Sequence, residues 1–454
     1  KVSAIGQAGE NFGKFASIMN EMGRAAGRCG LGAVMGSKKL KAIAVRGTGR
    51  IPIEKEEEYR EFCREISKSV ASSAFAERSR KYGTAGYVLG GYPLGDVPIK
   101  NWLMGEWDSI ERISGQYISE TILKSAKGCF NCPIACGRIV EIKFGKYAGV
   151  SGHGPEYETC ASLGALCLID DLEAIARGNE LCDRYGLDTI SVGCVVAFAM
   201  ECYEKGLITK DDTGGLEIRW GDADAMIKLL EMITFRRKIG DVLAEGVKKA
   251  SQIIKGSEEC AVHVKGLEIP MHDPRAFAGL GLQYATMNRG ACHLALAYTI
   301  ERGVTIPDLG FTKEFTEKID RFALEGKANI VKVMQDFTEL HDAFLFCKFL
   351  IFAGVTLTVM TKALNLVTGW NLKPNDLMEI GERIFNIKRL FNVKCGISRK
   401  DDTLPKRVYI PLKEGGTKGF TPKLEPLLDE YYKIRGWDEN GVPTKEKLLQ
   451  LEII

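Results

Sequence analysis

The chain has 454 residues, 45% hydrophobic and 27% charged, which is enough for two or three domains with sizeable cores. Its 62 basic and 59 acidic residues leave a net charge of +3, so nothing in the charge balance supports nucleic-acid binding. Charged residues or glycines interrupt the apolar stretches, and we therefore expect no signal peptide and no membrane span.

Cysteine usage indicates the redox compartment. Most of the 14 cysteines stand singly within apolar stretches, as Cys167, Cys182, Cys194 and Cys202 do. A secreted protein of this size would carry paired cysteines in loops. We therefore predict a reducing, cytoplasmic location, with most thiols serving as small core residues.

The first 127 residues begin with a glycine-rich segment that ends in a predicted strand at 40–45. Its loop at 27–37 could bind phosphate through backbone N–H groups, although a lone glycine-rich loop is weak support. It is not a dinucleotide-binding fingerprint, because no strand precedes it and the spacing differs. Residues 50–127 are predicted to be helical.

Later elements are also mainly helical. The pattern predicts a helix over 171–185, capped by Asp170 or Asp171 and stopped by Gly186. Residues 190–258 and 312–390 continue helical, with a small hairpin expected at 212–222. The predicted fold is therefore mostly α with little β.

The strongest chemical signal is the C-x2-C-x3-C motif formed by Cys129, Cys132 and Cys136. Thiolates this close can reach three corners of a [4Fe–4S] cluster if the loop curls around it, and the small or turn-forming neighbours favour such a curl. Zinc or free thiols are the alternatives. Zinc sites favour a second C-x2-C unit or added histidine, and the chain has no second C-x2-C unit.

The fourth cluster ligand usually comes from a distant part of the chain. Cys160, Cys292, Cys347 and Cys395 all flank polar motifs or occupy suitable segments. Spacing alone does not choose among them.

Two polar segments could carry acid–base chemistry or anion binding. Glu156 and Glu158 follow a Gly-Pro turn, where one could be a general base or both could simply favour a helix N-terminus. The segment 272–293 holds two of the five histidines together with Arg275 and Arg289, which suit phosphate. A salt-bridged structural loop is the alternative for this segment.

Two further segments, 183–188 and 342–347, place an aspartate at a helix end. Paired carboxylates there could accept hydrogen bonds from an N–H-rich heterocycle. Taken singly, each aspartate could equally well belong to a capped turn.

Together these motifs resemble the aldehyde:ferredoxin oxidoreductase family of tungsten enzymes over nearly the whole chain. The resemblance rests on ordered segments at 7–11, 24–28, 32–38, 129–136, 154–159, 183–188, 272–293 and 342–347. It implies two helical domains after the end of a β-rich domain. The expected boundaries are 1–48 for the remnant of that domain, 49–265 for the second domain and 266–454 for the third.

The resemblance also implies a cofactor set: tungsten, or molybdenum, held by two pyranopterins that Mg2+ bridges through their phosphates, and a [4Fe–4S] cluster. Cys347 becomes the fourth cluster ligand beside Cys129, Cys132 and Cys136. The residues it places at the pterins, their phosphates and Mg2+ are Arg24, Ala25, Ala26, Gly27, Asp183, Gly186, Leu187, Asp188, Arg289, Asp342 and Phe346.

The implied reaction is oxidation of an aldehyde to a carboxylic acid, with electrons leaving through the cluster to ferredoxin or a ferredoxin-like subunit. Glu158 would take a proton from water, and His293 would hydrogen-bond the carbonyl oxygen. Two alternatives remain open, namely a catalytic subunit of a tungsten aryl-CoA reductase of the benzoyl-CoA type and a cofactor-free electron-transfer or scaffold subunit. We also expect an oligomer.

Three departures from the family pattern stand out. Leu345 and Phe346 replace the Gly-Leu of the usual Asp-x-x-Gly-Leu-Cys motif, so the fit of one pterin could differ. A Glu-x-x-His motif, linked to a metal at some members' dimer interface, is missing. About 160 residues expected before residue 1 are also missing, and either another chain supplies them or the sequence is part of a longer protein.

Overall fold

The computed structural model describes residues 1–21 and 23–454, and its contacts divide the chain into two compact units. The first unit comprises Lys1–Gly47, Arg78–Asp273 and Pro405–Phe420. The second comprises Thr48–Glu77, Pro274–Leu404 and Thr421–Ile454. The domain boundaries expected from the sequence stay predictions beside this division.

The strands form small antiparallel sheets within the first unit. They are β1 (Val2–Ile5), β2 (Ile18–Asn20), β3 (Arg24–Ala26), β4 (Ala42–Ala44), β5 (Leu123–Lys127), β6 (Gly137–Glu141), β7 (Ser151–His153), β8 (His263–Val264) and β9 (Leu267–Glu268). Their orders are β3-β2-β1-β4, β5-β6-β7 and β8-β9. The register pairs Ser3 with Asn20 and Met19 with Ala25, which fixes β3 at the edge of the first sheet.

The helices account for most of the regular structure. Through residue 253 they are α1 (Gln7–Glu10), α2 (Leu31–Ser37), α3 (Glu56–Ser72), α4 (Ala74–Tyr82), α5 (Val88–Gly91), α6 (Gly115–Thr121), α7 (Tyr157–Thr159), α8 (Leu172–Tyr185), α9 (Thr189–Glu204), α10 (Lys210–Thr213), α11 (Ala223–Thr234), α12 (Ile239–Leu243) and α13 (Gly246–Ile253). The later helices are α14 (Ala278–Thr286), α15 (Ala297–Glu301), α16 (Lys313–Glu317), α17 (Lys327–Ala343), α18 (Leu357–Thr368), α19 (Pro374–Lys394), α20 (Leu424–Arg435) and α21 (Lys445–Gln450).

About 53% of the chain is helical, which confirms the prediction of a mostly α fold with little β. Within the described part of the chain, no helix combines the length and apolar character that crossing a membrane requires. Two local predictions were wrong. Residues 212–222 form no hairpin, because Thr209 and Asp212 make a capping box that starts α10. Residues 123–127 are a strand, because they pair with β6.

The core of the first unit surrounds α8 and α9. Asp171 caps α8 by accepting from the Ala174 N–H at 3.0 Å, and Gly186 ends it at φ +71°. The predicted helix and its stop signals are therefore confirmed. Helix α9 is buried on every side from Ile190 to Cys202, which explains its apolar sequence.

The second unit packs α17, α19 and α20 around aromatic side chains and buried ion pairs. Phe385 stacks on Trp437 at 6.2 Å between ring centroids, and the Arg435 guanidinium lies 4.1 Å from the Phe385 ring. Arg435 also pairs with Asp336 at 2.5 Å, with both side chains fully buried. Such a buried charge pair is tolerated because each group is hydrogen-bonded.

Candidate functional site

The three motif cysteines lie on one loop of the first unit, between β5 and β6. All three are free thiols; Cys129 is exposed, and Cys132 and Cys136 are partly buried. The Cys132 N–H donates to the Cys129 carbonyl at 3.0 Å. Asn131 and Ala135 adopt positive φ angles of 55° and 52°, so the loop curls twice within six residues. A curled loop with free thiols fits a cluster ligand set.

Two arginines fasten this loop to the end of α4. The buried Arg138 guanidinium donates to the carbonyls of Ala135 at 3.0 Å and Arg80 at 2.8 Å. Arg80 in turn donates to the carbonyl of Pro133 at 3.0 Å. Burial lowers the pKa of Arg138, while Glu156 and Cys136 act in the opposite direction. The backbone around the thiols is therefore held from the helix side.

Arg24, on β3, brings positive charge to the same region. It donates to Glu156 Oε1 at 3.0 Å, and Thr84 Oγ1 donates to the other oxygen of Glu156 at 2.5 Å. Burial disfavours the charge of Arg24, but Glu156 and the thiols of Cys129 and Cys136 outweigh it and raise its pKa. Arg24 thus places a positive charge near two of the three motif cysteines, Cys129 and Cys136.

The rest of the predicted 24–27 segment continues along the edge strand. Ala25 and Ala26 are exposed, and the carbonyl of Gly27 accepts from Ser17 Oγ at 2.8 Å. These residues offer backbone groups and little side-chain chemistry. Their predicted place beside phosphates and Mg2+ stays a prediction.

Asp183 lies in the last turn of α8 with little protein pairing. Its carboxylate accepts from Asn179 Nδ2 at a long 3.5 Å, and a Cβ added to Gly23 would lie 3.1 Å from its Oδ2. Burial, followed by the charges of Glu180 and Glu156, raises the pKa of Asp183 to about 7. A partly buried carboxyl with so weak a partner is suited to accept hydrogen bonds from a bound heterocycle.

Asp188, by contrast, is saturated by protein groups. It caps α9 by accepting from the N–H groups of Ile190 and Ser191, and it also accepts from Ser191 Oγ at 2.7 Å. Arg28 approaches it at 3.3 Å, and both side chains are nearly buried. The capping role explains this aspartate by itself, and its predicted contact with a pterin is untested.

The turn between these aspartates packs against the N-terminal segment. The carbonyl of Gly186 accepts from the Ser17 N–H at 2.8 Å, and the Asp188 N–H donates to the Phe15 carbonyl at 3.1 Å. A Cβ added to Gly6 would lie 2.2 Å from the backbone of Tyr185, so only glycine fits there. Leu187 is buried in the same contact. The predicted pair Gly186 and Leu187 thus joins the N-terminal segment to α8.

Sequence reasoning missed Arg28 and Glu268 as a linked pair. Arg28 Nη2 donates to the Glu268 carbonyl at 2.6 Å, and Ser191 Oγ donates to the Glu268 carboxylate at 2.9 Å. Burial raises the pKa of Glu268, while the N–H of Val247 and the charge of Arg28 oppose the shift. The 240 positions between Arg28 and Glu268 leave no local signal for this pairing.

Glu158 is held in a fixed orientation by neighbours in the first unit. Its Oε2 accepts from the Met271 N–H at 2.8 Å, and its Oε1 lies 3.6 Å from His272 Nε2. Burial raises the pKa of Glu158, partly offset by His272, the Met271 N–H and Arg28. A largely buried carboxyl with a raised pKa and a fixed orientation is suited to act as a general base.

His272 also contacts Asp96, and sequence reasoning missed both as site residues. The His272 Nδ1 lies 2.7 Å from Asp96 Oδ2, which also accepts from Tyr87 OH at 2.7 Å. The histidine lies in a segment whose polar density was noted. Asp96, 176 positions earlier in the chain, carried no signal.

The second unit holds the other predicted site residues. His293 begins a 3₁₀ turn and is partly buried, and the exposed Arg289 donates to Cys292 Sγ at 2.7 Å. An exposed guanidinium is compatible with the predicted anion-binding role of Arg289. The pairing of His293 with Glu158 is untested.

The 342–347 segment forms the turn after α17, also in the second unit. Asp342 pairs with Lys348 at 2.8 Å, and Cys347 is exposed at the start of a 3₁₀ turn. Leu345 adopts φ +58° and is 91% exposed, which is the conformation that favours glycine. The glycine of the usual motif would adopt this backbone conformation without strain. Phe346 is 37% exposed, compatible with contact to a bound ring.

Three cysteines on one fastened loop, together with titratable acids held in a mostly helical fold, fit the class of redox enzymes that carry a metal cluster. The family model for aldehyde ferredoxin oxidoreductase, domains 2 & 3, matches residues 61–453, and the model for the N-terminal domain of the same proteins matches residues 1–47. The chain therefore belongs to the aldehyde ferredoxin oxidoreductase family, which confirms the resemblance and the prediction of an oxidoreductase.

Individual relatives agree with the family match. A tungsten-containing aldehyde ferredoxin oxidoreductase from Thermococcus kodakarensis is 41% identical over 100% of this chain and 73% of its own length. One from Pyrococcus furiosus is 41% identical over the same shares. Among solved structures, the active-site complex BamBC of benzoyl coenzyme A reductase with 1,5-dienoyl-CoA has a TM-score of 0.80 and 26% identity, covering 100% of this chain and 73% of that one.

Proposed function

We propose that the chain oxidises an aldehyde to a carboxylic acid and passes the electrons to ferredoxin. The observation that carries this proposal is Glu158, a buried carboxyl whose pKa burial raises and whose Oε2 is fixed by the Met271 N–H. The names of the relatives supply the aldehyde, the tungsten and the ferredoxin.

The residues present fit the cofactors that the family implies. Cys129, Cys132 and Cys136, with Cys347 as fourth ligand, would hold a [4Fe–4S] cluster. Asp183 and Asp342 would each accept hydrogen bonds from one pterin. The remaining pterin, phosphate and Mg2+ contacts are assigned to Arg24, Ala25, Ala26, Gly27, Gly186, Leu187, Asp188, Arg289 and Phe346. When bound, the tungsten pterin supplies two-electron oxidation of the substrate, and the cluster supplies one-electron transfer.

The protein's own acid–base chemistry falls to two residues. Glu158 takes a proton from the water that adds to the aldehyde, and the raised pKa of this carboxyl makes it a stronger base than an exposed glutamate. His293 donates a hydrogen bond to the carbonyl oxygen and so stabilises the negative charge that develops there. Positioned acid–base groups of this kind contribute roughly 10²–10⁴-fold in rate.

Arg24 supports the cluster end of the site. Its guanidinium is held by Glu156 and lies within electrostatic reach of Cys129 and Cys136. A fixed positive charge there favours added electron density at the thiolate ligands, which raises a cluster's reduction potential. Electron exit to ferredoxin would then begin on the exposed side of the loop, where Cys129 is accessible.

Metal analysis and a steady-state assay test the proposal together. The purified protein should contain tungsten or molybdenum and iron, and it should reduce ferredoxin in the presence of an aldehyde. Glu158→Gln should keep its metal content and lose turnover, whereas the matched surface change Glu204→Gln should keep both. Full turnover in Glu158→Gln would remove Glu158 from the mechanism, and a protein with iron but without tungsten and molybdenum would indicate the electron-transfer or scaffold alternative.

A second candidate is favoured by the benzoyl coenzyme A reductase match at a TM-score of 0.80. An enzyme of that kind acts on an aromatic thioester with partner subunits. Turnover of aryl-CoA without turnover of aldehydes would select it over the main proposal. Gel filtration of the holoenzyme, alone and with ferredoxin, would test the expected oligomer and partner.

A further inference from the structure

His272 lies between two carboxylates within the first unit. Its Nδ1 is 2.7 Å from Asp96 Oδ2, and its Nε2 is 3.6 Å from Glu158 Oε1. Both His272 and Asp96 are buried, at 4% and 0% exposure. One imidazole therefore connects the predicted base to a second acid that is 62 positions away in sequence.

Asp96 is oriented so that its carboxylate accepts a hydrogen bond from a ring N–H of His272. Tyr87 OH donates to Asp96 Oδ2 at 2.7 Å, and the Asp273 N–H donates to the Asp96 carbonyl at 2.9 Å. A carboxylate that accepts from the phenol pairs with a ring N–H, so Nδ1 carries the hydrogen and the Nε2 lone pair faces Glu158.

The two oxygens of Asp96 differ in their hydrogen bonding. Its Oδ1 is buried and has no hydrogen-bond partner in the part of the chain that the structure describes. A buried oxygen of this kind is costly unless a positive charge lies beside it. A proton arriving on His272 would supply that charge.

Aromatic rings keep the imidazole in place. The rings of Tyr87 and Tyr157 lie 5.7 Å and 5.0 Å from the His272 ring. Tyr157 OH donates to the Met271 carbonyl at 2.6 Å, and the Met271 N–H donates to Glu158 at 2.8 Å. The backbone of Met271 thus holds both the Glu158 carboxylate and the Tyr157 ring that packs beside His272.

We propose that His272 positions Glu158 and receives the proton that Glu158 takes up, with Asp96 holding the ring in the required tautomer. This inference rests on the proposed function, since it assumes Glu158 to be the base. The O–H bond of protonated Glu158 breaks, an N–H bond forms on Nε2, and Glu158 returns to the carboxylate. No electron is transferred in this step, and the proton passes from His272 to solvent.

The distance sets one condition on this transfer. At 3.6 Å the Nε2–Oε1 separation exceeds a hydrogen bond, so the two atoms approach by a few tenths of an ångström or share one water. The charged groups of the first unit that face Glu158 are His272, Arg28 and Asp188. Once protonated, His272 lowers the pKa of Glu158, as Arg28 does, and Asp188 raises it.

The tautomer is the first readout, and it does not depend on turnover. With five histidines in the chain, 15N-histidine spectra of the oxidised holoenzyme can be assigned by comparison with His272→Gln. The wild type should show His272 with hydrogen on Nδ1. Asp96→Asn should move it to Nε2, because the Asn amide donates to Nδ1, while the control His263→Gln should leave the His272 signal unchanged. A wild-type hydrogen on Nε2, or no change in Asp96→Asn, would overturn the proposal.

Kinetics supply the second readout. His272→Gln and Asp96→Asn should lower kcat on the order of 10²-fold, leave KM for the aldehyde within about twofold, and keep tungsten and iron content. The pH profile of kcat should change in His272→Gln, because the ring that takes the proton from Glu158 is gone. Unchanged kcat and an unchanged profile in both variants would refute the relay.

Two outcomes separate this inference from the proposed function. If the wild type turns over no aldehyde, the proposed function is wrong, but the tautomer of His272 can still be determined. If the wild type oxidises aldehydes but His272 carries its hydrogen on Nε2, only the relay is refuted. If His272→Gln does not fold, Asp96→Asn and Tyr87→Phe carry the test, and Tyr87→Phe should lower kcat by a smaller factor because only one donor to Asp96 is lost.

Discussion

Replacing Arg138 with Met should loosen the cysteine loop and lower its iron content. The buried guanidinium donates to the carbonyls of Ser79, Arg80 and Ala135 at 2.8–3.0 Å. The Ser79 carbonyl keeps a second donor, the Gly83 N–H at 2.8 Å, so the loss at that acceptor is small. Methionine retains much of the apolar stem, and the change therefore acts mainly through the lost hydrogen bonds.

The magnitude follows from those bonds. A hydrogen bond from a charged donor is worth about 1.5–3 kcal/mol, so the two bonds to Arg80 and Ala135 together contribute roughly 3–6 kcal/mol. Iron and acid-labile sulfide per chain, the EPR spectrum of the reduced protein and the free energy of unfolding measure the effect. The exposed pair between Arg184 and Glu180 provides the control, since Arg184→Met should change stability by less than about 1 kcal/mol.

The result that would refute this reasoning is a variant with wild-type iron content and wild-type stability. Such a result would mean that the bound cluster, or Arg80 alone, holds the cysteine loop in place. A variant that loses stability but keeps its iron would restrict Arg138 to a structural role. Only the joint loss supports the view that the guanidinium sets the geometry of the thiols.

Other residues give further expected outcomes. Leu345→Gly should raise the free energy of unfolding by about 1 kcal/mol, measured by denaturant titration, because Leu345 is exposed and held at φ +58°. Asp183→Asn should lower pterin and tungsten content without loss of stability, whereas Asp188→Asn should destabilise the fold through its pairing with Arg28. Burial raises the pKa of Glu301 from 4.5 to about 7, so ionisation weakens the fold as pH rises between these values, by up to about 3 kcal/mol. Glu301→Gln should flatten this part of the stability curve.

Sequence patterns predicted the local features well. The N-cap of α8 at Asp171 and its stop at Gly186 depend only on residues within one turn, and both are present. The burial of Cys167, Cys182, Cys194 and Cys202 likewise followed from their apolar neighbours. The spacing of Cys129, Cys132 and Cys136 predicted that they share one loop, because residues three to seven positions apart lie close together on a curled backbone.

Features fixed by distant partners were not predictable in this way. Strand β5 lies in a stretch predicted to be helical, and only its pairing with β6 makes it a strand. The turn after Thr209 was expected to be a hairpin, but its two glycines at positive φ follow a short capped helix instead. In both cases contacts or caps outside the periodic pattern decided the structure.

The same distinction applies to the acid–base centre. Glu158 could be proposed from its own segment, but the group that orients its neighbour is Asp96, which no motif marks. Burial raises the pKa of Glu158 and so favours its protonated form, which cannot act as a base. The Met271 N–H, His272 and Arg28 each lower its pKa again, so its reactivity depends on three opposing contributions from separate segments. A sequence can place the carboxylate, whereas the balance that makes it a base exists only after the chain has brought those segments together.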